Sequence, residues 1–118
     1  MSLVFAAITP HPPLLLPSIG KDQAEDVSQT REALSQLEQD LYIAKPQVIF
    51  VISPHTGRFE DSFCLNANTH FNSSFDQFGD LNTTKEWAGT PDLAAKIAHA
   101  SRDADVTVRL LSEERLDH

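Results

Sequence analysis

Two histidines in this chain share one local grammar. Ile8-Thr9-Pro10-His11 and Ile52-Ser53-Pro54-His55 each run from an apolar stretch through a small hydroxyl residue and a proline to an imidazole. A neutral imidazole is a common metal ligand and can move protons near neutral pH. Proline fixes its own φ and biases the residue before it towards extended geometry, and Pro10, Pro12, Pro13 and Pro17 crowd around His11. A loop this stiff presents its ring in few directions. Two such imidazoles make half of a metal site. With one carboxylate and open positions they would form the facial site of non-haem Fe(II) oxygenases. With a metal-bound water they would serve zinc hydrolysis instead. No third donor stands out: Asp61, Glu113, Glu114, Asp117 and His118 are all open. The plainer alternative for each histidine is an ordinary residue in a proline-rich turn.

For the pair to act together, the elements beneath must bring both loops to one rim. Residues 3–8 (LVFAAI) and 47–52 (QVIFVI) are nearly unbroken apolar runs, the pattern of strands covered on both faces of a parallel sheet. Between them, residues 21–44 carry Val27, Leu34, Leu37 and Leu41 at helical spacing. Asp22, Glu25 and Asp26 load the first turns, and Lys45-Pro46 stops the helix. Glu25, Glu32, Glu38 and Asp40 fit a solvated outer face. Parallel strands joined by a helix would send His11 and His55 off the same edge, where α/β folds bind their ligands.

Further on, residues 62–69 read as a more polar strand containing Cys64, a thiol expected to be buried and inert. Residues 70–90 have no clean period and read as a long connection: either a lid or substrate wall bearing Phe71, Phe75, Phe78 and Trp87, or a loop that these aromatics simply anchor, with His70 an ordinary loop histidine. Thr90-Pro91-Asp92 starts a helix with an N-cap threonine and proline at the first helical position. Leu93, Ala94, Ile97, Ala98 and Ser101 form its buried face, and His99 points outward. Residues 107–111 suggest a last strand. The order predicts an α/β sandwich with a mostly parallel central sheet flanked by helices.

Composition removes several classes of function. A formal net charge of -8, with nine scattered Lys and Arg residues, is wrong for a nucleic-acid backbone binder. No run reaches the ~20 apolar residues that span a bilayer. The N-terminal apolar run has no preceding Lys or Arg and is cut by prolines, so it fails as a secretory signal. A lone cysteine allows no internal disulfide, and a cytoplasmic location is expected.

The opening His11-Pro12-Pro13-Leu14-Leu15-Leu16-Pro17-Ser18-Ile19-Gly20-Lys21, the Ile52-Ser53-Pro54-His55 segment and the final Leu116-Asp117-His118 together resemble the class III extradiol ring-cleavage dioxygenases, the LigB-like family. The opening is most similar to the branch that includes the AmmeMemoRadiSam and Memo proteins. The resemblance implies that His11 and His55 are metal ligands, with Fe(II) the expected metal and Zn possible. It implies that His118 lies in the substrate pocket as an acid/base, and that a catechol-type ring is opened with O₂. It also implies that residues 1–118 form a single α/β domain, the N-terminal part of a longer catalytic domain. In the family the third metal ligand, usually a glutamate, and a further catalytic histidine come from the C-terminal half. This chain alone is therefore expected to be inactive, and a homo-oligomer or a companion subunit is possible. The alternative on the same fold is a Memo-like module that binds a metal, a small ligand or a peptide without catalysis.

Overall fold

The computed structural model describes residues 2–23, 25, 27–55 and 59–112. The chain divides into two compact units, Met1–Val51 with Ser74–Thr83, and Ile52–Ser73 with Thr84–His118.

In the first unit, the chain leaving His11 coils at once into a 3-10 turn, Pro13–Leu15, and one turn of α-helix, α1 (Pro17–Gly20). Proline opens both, as suits a position whose N–H would have no partner in the turn. The amides of Leu15 and Leu16 donate to the carbonyls of Pro12 and Pro13 at 3.1 and 3.0 Å. Those of Ile19 and Gly20 both donate to Leu16, at 3.0 and 2.8 Å. Gly20 is buried, and a Cβ there would lie 2.2 Å from the Leu14 carbonyl oxygen, so glycine is required for the coil to close. The helix expected over residues 21–44 is shorter than its pattern. A 3-10 turn, Lys21–Gln23, precedes α2 (Ser28–Ala44). Along α2 the stripe Leu34, Leu37 and Leu41 is half-buried, while Glu32, Glu38 and Asp40 are exposed as the amphipathic pattern requires. Lys45, left-handed at φ 47° and ψ 56°, ends it before Pro46.

The second unit is built on β1 (Phe63–Asn66). A hairpin follows, β2 (His70–Phe75) and β3 (Asp80–Ala88), whose turn end is counted with the first unit. Then come α3 (Pro91–Asp103) and β4 (Val108–Leu111), which pairs parallel with β1 in the register Phe63–Val108 to Asn66–Leu111. The amides of Phe63 and Ala67 extend that ladder to the Thr107 and Leu111 carbonyls. Helix α3 packs on both strands, with Ala94, Ala98 and Leu111 buried. Alanines four apart on the inner face let the helix backbone approach the sheet. Pro91 opens α3, with Asp92 in its first turn and Arg102 in its last, matching the helix dipole. Thr90 is the N-cap, but its side chain makes no capping bond.

The chain is α/β, as its sequence predicts, with a helix connecting two parallel strands. Its strands are not all where the apolar runs place them. Residues 3–8 and 47–52 form no strand, and Ile8 and Ile52 are 101% and 89% exposed. An apolar run specifies a need for cover, whereas a strand also needs a neighbouring backbone in register, and β-propensity yields to that context. Conversely, the connection expected over residues 70–90 is largely the hairpin β2–β3. Its strands carry Asn, Ser and Asp, which lower strand propensity. Yet β2 alternates, with Phe71, Ser73 and Phe75 half-buried and His70, Asn72 and Ser74 exposed. Cys64, expected buried, is half-buried on β1. Among the described residues no helix is long and apolar enough to cross a membrane.

Candidate functional site

His11 and His55 belong to different units. His11 is exposed and sits immediately before Pro12, whose φ of -68° and ψ of 137° turn the chain into the 3-10 coil. Proline cannot donate a backbone hydrogen bond, so the segment's own turn bonds are supplemented by the side chains that reach it. Arg31 on α2 is one of these, donating from Nε to the Leu15 carbonyl at 3.1 Å. The other end of the coil is held by Ser18, whose Oγ donates to Oδ2 of Asp80 at 2.5 Å.

His55 is also exposed, in a turn that follows Pro54. Its amide donates to Oγ of Ser53 at 3.3 Å, a hydroxyl turn that assigns a role to the small residue in the Ile-Ser-Pro-His grammar. The hydroxyl satisfies the histidine's own backbone donor within the turn.

The other candidates separate clearly. Asp61 is taken up by Arg109, whose Nη2 reaches its two carboxylate oxygens at 3.2 and 3.3 Å, with the guanidinium stacked 4.4 Å over the Phe59 ring. A carboxylate held that way is a poor candidate for a metal's third ligand. His70 lies on β2, with Nε2 3.7 Å from Oε1 of Glu86 and Nδ1 3.1 Å from Oγ1 of Thr69. Glu113, Glu114, Asp117 and His118 lie outside the described residues. Exposed imidazoles on proline-braced loops suit Fe(II) or Zn(II) in donor type. Among the described residues, no three His, Cys, Asp or Glu side chains gather to hold a metal ion.

Sequence reasoning passes over Asp80, the one buried charged residue among the described residues. Besides Ser18, it accepts Thr83 Oγ1 at 2.5 Å and the amides of Asn82 and Thr83, each at 3.0 Å. The Ser18 hydroxyl first, then the Thr83 hydroxyl and the two amides, hold its carboxyl far below the usual carboxylate range. Asp80 with Thr83 three residues on, just after Gly79, is a legible turn signature. Its partner Ser18, 62 positions away, is not.

Residues 5–118 match the family described as the catalytic LigB subunit of aromatic ring-opening dioxygenase. Protein CA_C1420 of Clostridium acetobutylicum is 27% identical over 97 residues, which are 82% of this chain and 21% of that protein. The chain thus spans about a fifth of the length of this relative. No solved structure matches.

Proposed function

Since this chain belongs to the LigB family of catalytic subunits of aromatic ring-opening dioxygenases, we propose that it serves Fe(II)-dependent extradiol cleavage of catechol-type rings by O₂. In this reading residues 1–118 are the N-terminal part of a longer catalytic domain, and the activity belongs to the whole. The family match over residues 5–118 carries the reading, and the two proline-braced imidazoles support it.

His11 and His55 would hold the metal through neutral ring nitrogens, which keep the charge of the site low. When bound, Fe(II) would supply open positions for the substrate and for O₂. Pro10 and Pro12 limit how far the His11 backbone can swing, and the Ser53 hydroxyl turn does the same for His55. His118 would hold or move a proton at the substrate hydroxyl, as an imidazole can.

The test is metal content and catechol-dependent O₂ uptake by the full-length protein, reconstituted anaerobically with Fe(II), beside its His11→Ala and His55→Ala variants. The expected outcome is a ring-opened yellow product from the wild type, with iron and turnover both lost in each variant. Ring cleavage that survived both substitutions would overturn the metal assignment. Iron uptake without oxygen consumption across a catechol panel would instead favour the Memo-like binding module.

A further inference from the structure

We propose that Asp80 is a positioning residue for His11, acting through Ser18 as the anchor of the coil that carries the histidine. Every group in the argument lies within the first unit. From Pro12 to Gly20 the backbone is tied by successive short hydrogen bonds, with Gly20 seated against the Leu14 carbonyl. Three of its residues, Pro12, Pro13 and Pro17, have a fixed φ. Such a coil moves as one piece, so where its far end is fastened sets where His11 stands. The fastening is a charge-assisted bond from Ser18 to Asp80, about twice as strong as a neutral one.

Asp80 is itself held by several hydrogen bonds. Its remaining partners, Thr83 Oγ1 and the amides of Asn82 and Thr83, all lie at the start of β3. The arrangement therefore couples the turn end of the hairpin to the His11 loop. Arg31, which reaches the Leu15 carbonyl, braces the middle of the same coil. Two side chains from two separate elements thus hold a segment that proline leaves with few donors of its own. The effect on metal binding rests on the reading of His11 as a ligand; the anchoring does not.

The experiment compares the full-length protein with Asp80→Asn and with Ser18→Ala, which removes one bond and leaves Asp80 its partners on β3. Amide hydrogen exchange and the His11 ring resonances, assigned through His11→Ala, are read first. Exchange at Leu15, Leu16, Ile19 and Gly20 is expected to rise roughly tenfold in Asp80→Asn and severalfold in Ser18→Ala. The His11 ring signals should move towards random-coil positions, while the amides of Phe63 and Ala67 keep their protection. Unchanged exchange at the four amides, or unmoved His11 resonances in both variants, overturns the proposal. Co(II) titration then separates the two readings. A wild type that takes up Co(II) and variants that bind it at least about fivefold more weakly, with altered visible bands, support positioning at a metal site. Equal Co(II) affinity in all three overturns positioning for metal. A wild type that takes up no Co(II) counts against the ligand role of His11, and the exchange and ring signals still decide the anchor.

Discussion

Asp80 illustrates how one residue can matter for more than its place in a turn. A buried carboxylate is costly unless its lone pairs are filled, and here two hydroxyls and two amides fill them. Those donors favour the charged form and depress its folded-state pKa below the ordinary 3.8. Linkage fixes the sign. A group with a depressed folded-state pKa contributes stability that is fully present above the unfolded value and is lost as pH falls through the folded one. Asp80→Asn should therefore be less stable than wild type near pH 7, with a gap that narrows as the pH falls below about 4. Urea unfolding midpoints of both proteins at about pH 7, about pH 5 and about pH 3 check this. A gap that stayed constant with pH would mean that the carboxylate's charge is not what Ser18 and Thr83 stabilise. The histidines teach a different lesson at this scale. Their types and proline neighbours are plain in the sequence, but their exposure and the Ser53 turn beneath His55 appear only in the fold.

At the scale of elements, α3 and the hairpin form a contrast. Helix α3 has every local signal aligned: proline at its first position, acid then base along its length, and an apolar stripe at 3.6 spacing. Its predicted start and outward His99 match the structure. The buried stripe has alanines where the helix packs on β1 and β4. Ala98→Leu is therefore expected to cost about 1–3 kcal/mol by overpacking. Ala95→Leu, at an exposed position, should change stability by less than about 0.5 kcal/mol. Thermal unfolding of the two variants side by side makes the comparison, and equal losses would contradict the packing of α3 on the strands. The hairpin had only a weak alternation in β2 to announce it. Most of β3 is exposed, so no apolar period was required of it. Gly79 at φ 87° supplies the left-handed turn residue that joins the strands.

For the molecule as a whole, the exposed apolar residues 48–52 set the solution behaviour. Val51 and Ile52 are 76% and 89% exposed, in an uncharged, β-branched, proline-free run. Such a segment is a template for pairing with another chain. Opposing this, the net charge of -8 drives copies apart. The 118-residue chain is expected to self-associate increasingly as salt screens that charge. Val51→Lys should suppress the association, because it places a charge inside the run. Sedimentation velocity across a salt series reads both effects. A chain that stayed monomeric at high salt and high concentration would remove the segment from consideration.

The sequence by itself determined the family, the two proline-flanked histidines, the α/β class, helix α3 and the body of α2, because each rests on local chemistry: residue type, near-neighbour spacing and helical period. Tertiary structure decided which runs became strands, since a ladder needs a partner backbone that no single run contains. It also decided that Asp61 answers to Arg109, and that Ser18 and Asp80 meet across 62 positions. Hydrogen bonds between residues so far apart in the chain depend on the path of everything between them, and no local pattern encodes that path.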